Sequence, residues 1–506
     1  MKLNYKRTLL VGFAFFLIQV FWQAYDNIIP KILTDKFGLS QFLSGIIMAF
    51  DNILAVFMLP IFGALSDRHM GKRGRRTPFI LIGTIAAAVL FVGMSAADEM
   101  QRSDITDIVS VTEPQSSAER DTALRTLYRF DGENNGDLSA VYGSEEMFIE
   151  SMNEENPELS HLTKARQSYA WAKTLETPIP LVVFIALLLG VLIAMSIFRS
   201  PAVALMPDVT PKPLRSKGNA IINLMGTAGG VLVLILGILF GTGKPENILM
   251  NYTSFFGTVA FIMLAALLVF MLSVKEPQWA AEAQEAESRN TISADTSFAS
   301  TEKLTKGEFR SLCFLLASVA LWYMGYNAVT SKYSVYAGEV LGLDFNFTLI
   351  IAQAAAIVSY IPVGIVSSKI GRKKTILAGV ILLGLSFGAA AFMKAGSNIW
   401  VMNTLFALAG IGWATINVNS YPMVVELAKA GNVGKFTGYY YTASMSAQII
   451  TPVLSGACLT WVGMRTLFPY AAGFVALAFA TMLFVRHGDA LPMKKKDLLE
   501  NLDVDD

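Results

Sequence analysis

Cysteine is almost missing from this 506-residue chain. Cys313 and Cys458 both fall inside apolar stretches, which leaves no disulfide framework and no zinc site, and both are expected to be core residues. Histidine is nearly as scarce. His69, His161 and His487 lie outside the apolar stretches, and no nucleophile stands beside a base in a recognisable motif, so nothing points to an enzyme or a cofactor. Charge is thin too: 16% of residues are Asp, Glu, Lys or Arg, and the formal net charge is +1. With the cations confined to alternate loops, nucleic acid is excluded as a partner. The amino-terminal apolar run lacks a small-residue cleavage site and contains Gln19, Trp22 and Asp26, so it is expected to be retained as a first helix.

What the chain has in abundance is hydrophobic residues, at 54%, too many for one or two soluble domains. A membrane helix needs about 20 mostly apolar residues. Twelve such stretches lie near 8–31, 41–65, 78–97, 178–206, 218–241, 252–274, 309–334, 345–368, 374–394, 398–427, 434–460 and 464–486. The expected fold is therefore an all-α polytopic membrane protein. Both termini are expected on the cytoplasmic side, because that places Lys2, Lys6, Arg7, the cations of 68–76, Lys212, Arg215, Lys217, Lys369, Arg372 to Lys374, Lys429, Lys435 and Lys494 to Lys496 there.

The cations concentrate in GALSDRHMGKRGRRTPFI, Gly63 to Ile80, and an altered copy, GIVSSKIGRKK, runs from Gly364 to Lys374. Each joins two apolar stretches, as expected of two related halves. Gly63 and Gly364 are 301 residues apart, whereas Pro201 (RSPAVAL) and Pro422 (SYPMVVE) are 221 apart. The 80-residue difference equals the length of the polar segment 98–177. One insertion in the first half thus reconciles both matches. The domains read as an amino-terminal six-helix bundle, 1–274, carrying the 98–177 insertion outside the cell; a cytoplasmic linker, 275–308; a second six-helix bundle, 309–486; and a tail, 487–506.

Within the insertion, apolar residues recur at helical spacing, as in a small helical cap. DGENNGDLS, Asp131 to Ser139, places oxygen ligands at alternate positions (Asp131, Glu133, Asn135, Asp137), with Gly136 sixth and Leu138 eighth, as a calcium loop would. The twelfth place is Tyr142 where that loop needs Glu. A polar turn between helices explains the segment equally.

Ionisable groups at membrane depth are costly and mark pathways. Asp51, next to Asn52, is near the middle of the second stretch and is the candidate proton-coupling residue, with Asp26 in the first stretch and Arg199 in the fourth as its company. A structural Asp bonded to a neighbouring helix, and a snorkelling Arg, are the bland alternatives. Sugar binding needs aromatic faces and amides or hydroxyls near the midplane. Gln19, Trp22, Asn27 and Asn52 supply these in the first half, and Trp322, Tyr326, Asn327, Trp413, Asn417 and Tyr440 in the second. Aromatics in membrane helices also simply pack or mark the interface.

The 63–80 segment resembles the loop between helices 2 and 3 of the major facilitator superfamily. More narrowly, Ser66-Asp67-Arg68, the extra residues before Gly74, and Arg75-Arg76-Thr77-Pro78-Phe79-Ile80 resemble the sucrose-transporter branch of the glycoside-pentoside-hexuronide:cation symporters, as does Gln19-x-x-Trp22. Thr77 stands where that branch has a third Arg. The resemblance implies the major facilitator fold, twelve transmembrane helices in two pseudo-symmetric bundles. It implies gating roles for Gly63, Asp67, Arg68, Gly74, Arg75 and Arg76, and by the internal repeat for Gly371 and Arg372. Ser368 replaces the acid in the second copy, so the lock is expected to be asymmetric. Sodium-using members carry a carboxylate before the helix 2 proline, where this chain has Leu59 before Pro60, which favours protons.

The expected function is proton-coupled sugar symport, of a disaccharide or glycoside, by a monomer in a bacterial inner membrane. A proton-driven efflux carrier of the same fold would have a more apolar cavity. A non-transporting sugar sensor, with the insertion as its recognition module, lacks an appended signalling domain, since only Arg486 to Asp506 follow the last stretch.

Overall fold

The computed structural model describes residues 4–488 except 70, 113, 115, 154–158, 211–214, 292–303 and 428–432. Lys2, Lys212, Lys429 and Lys494 to Lys496 lie outside the described residues, as do the side chains of Arg215, Lys217, Ser368, Lys369 and Lys435.

The described chain is all helix and turn. The first half runs through α1 (Tyr5–Lys31), α2 (Gln41–Arg68) and α3 (Thr77–Asp104) to an insertion of five helices, α4 (Thr106–Val109), α5 (Ser117–Asn134), α6 (Asp137–Tyr142), α7 (Glu145–Met152) and α8 (Leu159–Glu176). It returns to the bundle with α9 (Ile179–Val209), α10 (Arg215–Phe240) and α11 (Thr253–Ser273). α12 (Glu276–Thr291) opens the expected linker, so that segment starts as a helix. The second half is α13 (Lys306–Tyr336), α14 (Phe345–Ile370), α15 (Arg372–Ala390), α16 (Ile399–Glu426), α17 (Val433–Trp461) and α18 (Leu467–Leu483).

Ten of the twelve long helices are apolar and long enough to cross a membrane; α14, with a shorter apolar run over Phe345–Tyr360, and α17 complete the bundles. Local chemistry sets their ends. Asn4 and Ser40 cap α1 and α2 through their side chains, and Thr305 with Glu308 forms a capping box on α13. Gly371 turns the chain between α14 and α15 with φ +93°, a conformation costly for a residue with a Cβ.

The two halves repeat each other. α1 packs on α10 and α11 as α13 packs on α17 and α18, and α3 pairs with α9 as α15 pairs with α16. The first helix of each half ends in the same device, a π-turn at Ile32–Lys36 and another at Ala337–Leu341. Pro201 and Pro422 sit inside the corresponding helices α9 and α16.

The bundles meet chiefly through α2 on α17 and α10 on α14. These crossings are tightest at the end that carries the insertion, here the cap end. A Cβ on Gly45 would collide with the Pro452 carbonyl, and one on Gly456 with that of Gln41, so α2 and α17 touch backbone to backbone. Phe42 N–H donates to Thr460 Oγ1 (2.9 Å), and the fully buried Lys332 ammonium donates to the Gln41 carbonyl (3.1 Å). At the opposite, terminal end the described ion pairs stay within one bundle, as with Arg76–Asp208 and Arg372–Glu426. The cap end is closed.

The insertion has its own core of Ile108, Leu124, Leu127, Leu138, Phe148, Met152 and Leu162, which also takes in Leu249 from the α10–α11 loop. Burial and the neighbouring Asp107 hold the Tyr169 phenol above its ordinary pKa. Cys313 is exposed on the bundle surface and Cys458 half-buried, so the expectation that both are core residues is corrected. Outward faces of membrane helices are as apolar as inward ones, and sequence does not separate them.

Below the cap, Lys36 and Asp98 form an ion pair at 2.7 Å with both side chains fully buried. The ammonium also donates to Met250 O (2.6 Å) and lies 4.6 Å from the Tyr252 ring centre. Removing one partner strands the other charge, at a cost of about 3–5 kcal/mol. Asp98→Asn should therefore lower the melting midpoint in detergent sharply, while Lys36→Met with Asp98→Leu should recover most of the loss.

Candidate functional site

Midway along the helices, between the bundles, two adjoining cavities of about 270 and 230 Å³ share Gln19, Asp26 and Thr330. The smaller is lined by Trp22, Asp26, Asp51, Asn52, Arg199, Asn327, Ser331 and Gln448, among others. The larger adds Gln23, Asn27, Thr227, Tyr326, Gln353, Tyr360 and Trp413. The lining thus draws on both halves, from α1, α2, α9 and α10 on one side and α13, α14, α16 and α17 on the other.

Each helix contributes through its period. Gln19, Trp22, Gln23 and Asp26 stand three, four and seven apart on α1 and share one face, as do Tyr326, Asn327 and Thr330 on α13. Asp51 Oδ1 accepts from the side-chain amide of Asn52 (2.6 Å) and from its backbone N–H (2.5 Å). Arg199 makes no direct ion pair with Asp26 or Asp51; its guanidinium lies 5.3 Å from the Trp22 ring centre and acts on both carboxyls through space. Trp22 Nε1, Tyr25 Oη and Asn327 Nδ2 are buried and make no hydrogen bond within the protein.

Aromatic faces complete the cavity. Tyr326 and Trp413 stack with ring centres 3.7 Å apart and planes 1° from parallel, and Tyr323 meets Trp413 edge-on at 5.1 Å. Toward the cap end, Gln353 Nε2 donates to Gln23 Oε1 across the bundle interface (2.7 Å).

Of the residues expected to bind substrate, Gln19, Trp22, Asn27, Asn52, Tyr326, Asn327 and Trp413 line the cavities, and Asp26, Asp51 and Arg199 are among them. Trp322, Asn417 and Tyr440 do not. Trp322, one turn before Tyr326 on α13, is sealed in the core with no exposure, and Tyr440 is buried against Ser420 Oγ (3.1 Å). Gln23, Gln353, Thr227, Thr330 and Ser331 went unnoticed in the sequence. The two glutamines carry the signal that singled out Gln19, an amide at membrane depth.

The expected gating residues gather at the terminal end. Arg76 Nε donates to Asp208 (2.8 Å), its other nitrogens to Ser66 Oγ (2.5 Å) and Asp67, and Arg75 lies 3.6 Å from Asp208. Asp67 therefore pairs inside its own bundle, not across the interface, and Arg68 is exposed. A Cβ on Gly63 would press on Ser200 Oγ at 2.9 Å. In the second half Arg372 pairs with Glu426 (2.9 Å) directly after Gly371. In the calcium-like loop, Asp131 accepts from Leu138 N–H (2.7 Å), Asp137 pairs with Lys164, and Glu133 is exposed. Among the described residues no cluster of His, Cys, Asp or Glu could hold a metal.

One residue of this cluster went unread in the sequence. Glu276, at the start of α12 and buried, accepts the backbone N–H groups of Arg75, Arg76 and Thr77 (2.7, 2.9 and 2.8 Å) and the Thr77 hydroxyl (2.7 Å). A carboxylate at a helix N-terminus satisfies orphan donors and favours the macrodipole. Gly74 is required beside it, with φ +105° and no room for a Cβ against that carboxylate. Glu276→Ala leaves three N–H groups without their acceptor, each worth about 1–3 kcal/mol if buried. Deuterium uptake across Gly74 to Ile80 should rise and the melting midpoint fall.

The model of the Major Facilitator Superfamily matches residues 168–360 and 346–500, and that of MFS/sugar transport proteins matches 10–112. The chain is 26% identical over 194 residues to the multi-drug resistance efflux pump PmrA homolog of Lactococcus lactis, covering 38% of this chain and 45% of that protein. It is 26% identical over 289 residues to an MFS-type transporter of Methanocaldococcus jannaschii, covering 56% of this chain and 68% of that one. Among solved structures it is similar to the inward-open xylose transporter XylE of E. coli, at 14% identity and TM-score 0.57 over 99% of this chain and all of that one. A D-xylose-proton symporter gives 16% and 0.58 over 96% of this chain and 99% of that one. Such low identities speak for the fold alone. A twelve-helix fold of two repeated bundles around a central cavity, and family matches that together run along most of the sequence, make this chain a member of the Major Facilitator Superfamily.

Proposed function

We propose that the protein is a proton-coupled symporter of a sugar, either a disaccharide or a glycoside, working by alternating access as a monomer. With both termini read as cytoplasmic from the cation distribution, the closed cap end is the outer one and the conformation is inward-facing. The observation that carries the reading is the lining of the central cavity. Amides from Gln19, Gln23, Asn27, Asn52, Asn327, Gln353 and Gln448 and hydroxyls from Thr330 and Ser331 surround it, with the Tyr326–Trp413 stack as a flat apolar wall. Hydroxyl groups bond the first set, and the C–H face of a sugar ring packs on the second.

Charge balance supplies a reason for coupling. Asp26 and Asp51 bring two negative charges to the cavity and Arg199 one positive. One proton on either carboxyl makes the trio neutral. The bundles can then close over a neutral solute without burying an unpaired charge, and release of that proton accompanies reopening.

A second reading keeps the fold and reverses the task. Efflux of apolar cations is favoured by the names of two curated relatives, the Lactococcus pump and the multidrug resistance protein MdtG of Proteus mirabilis, 26% identical over 165 residues. Labelled disaccharides in proteoliposomes, with an inward pH gradient and with or without sodium, separate the two. Accumulation without sodium that falls at least tenfold in Asp51→Asn is expected. Dependence on sodium overturns proton coupling. Absent sugar uptake under either gradient, with pH-driven extrusion of a lipophilic cation, installs the efflux reading.

A further inference from the structure

The insertion is built into the closure of the transporter, and one of its helices touches both bundles. α8 is fixed to the first. Thr174 Oγ1 donates to Phe37 O (3.0 Å), Gln101 Nε2 donates to Thr174 Oγ1 (2.9 Å), and Gly38, at φ +69°, lets the α1–α2 loop lie against the α8 backbone. Arg166 donates to Asp35 (3.0 Å), with both side chains almost fully buried. The next residue, Gln167, reaches the other way and donates to Glu339 Oε1 (2.6 Å).

Asp35 and Glu339 occupy the two π-turns that end α1 and α13, the equivalent first helices of the two halves. They are pseudo-symmetric acids facing each other across the interface, and consecutive residues of α8 bind them. Lys31 stands beside them, its charge acting on both acids. The joint is unequal. α8 is tied to the first half by several buried bonds and an ion pair, and to Glu339 by one side-chain hydrogen bond. When the bundles separate at the cap end, α8 must travel with the first half and the Gln167–Glu339 bond must part.

We propose that α8 is a latch on the cap-end gate, that Arg166 positions it on Asp35, and that Gln167–Glu339 is the contact that opens and closes in each cycle. This rests on the alternating-access reading above and assigns the insertion to gating instead of substrate recognition. Gln167 acts on the balance between the two conformations, so it is a positioning residue and touches no substrate. A buried hydrogen bond is worth enough to shift a two-state balance by up to about tenfold when lost.

The test measures the gate directly. Spin labels are placed on Lys244→Cys and Val462→Cys, exposed cap-end positions on opposite halves, in full-length protein carrying Cys313→Ser and Cys458→Ser, in lipid nanodiscs. Electron-electron distance distributions should be short and narrow in this background. Gln167→Ala should add a longer-distance population about tenfold above the background level. Gln167→Met, which keeps the volume and removes the donor, should do the same, and guards against a variant that fails to fold. Lys164→Met, one turn away on the exposed face, should leave the distribution unchanged. Coincident distributions for the background, Gln167→Ala and Gln167→Met overturn the latch, as does an equal shift in Lys164→Met. The readout needs no substrate. Failure of disaccharide uptake would therefore remove the sugar reading and leave this comparison standing.

Discussion

Backbone contact between α2 and α17 at the cap end is the constraint on which the rest of the structure depends. Gly45 and Gly456 remove the side chains that would hold these helices apart, and each meets a carbonyl of the other helix. Contact this close packs well without a hydrophobic drive, which is how helices associate in lipid. It also fixes the shape of the space below. The bundles are pinned together at one end and their charged turns are paired separately at the other, with the cavity between.

Polar groups buried along this seam follow from the same geometry. Lys332 donates to the Gln41 carbonyl in the first turn of α2, and Gln23 and Gln353 bond each other where the cleft closes. Each satisfies a partner on the opposite bundle, so each is stable only while the seam is shut. In the alternating-access reading proposed above the seam is a reversible joint: bonds that would be unpaired at membrane depth on opening have water or solute to meet in the cleft. The terminal end behaves differently. There Arg76 is held by Asp67, Asp208 and Ser66 within the first half, and Glu276 of α12 caps α3.

The repeat explains both the resemblance between halves and where it breaks. The π-turns, the helix prolines and the packing order recur, but a five-helix insertion follows α3 only. It carries its own apolar core and so folds onto the bundle as a unit, with Leu249 shared between them. The acid clamp of the first half, Glu276 on the turn before α3, belongs to α12, between the halves.

What the sequence determined by itself was the number and order of helices, the two-bundle plan and the place of the insertion. Apolar length in a membrane is a nearly one-dimensional property, and the offset between Gly63–Gly364 and Pro201–Pro422 equalled the length of the polar segment 98–177, although α3 runs on to Asp104 within it. It also picked out Gln19, Asp26, Asp51 and Arg199, because polar groups at membrane depth stand out against lipid-compatible neighbours. It failed where depth along a helix, or direction round it, decides burial. Trp322 and Tyr326 are one turn apart on α13, yet one is sealed in the core and the other stacks on Trp413 in the cavity; Cys313 looks outward although its surroundings are as apolar as the core. Nor could it pair Arg166 with Asp35, or Glu276 with the turn at Arg75 to Thr77, since these partners lie more than a hundred residues apart in sequence. Only the tertiary structure decides such contacts, because a carboxylate's partner at membrane depth is whichever group the packed helices bring within reach.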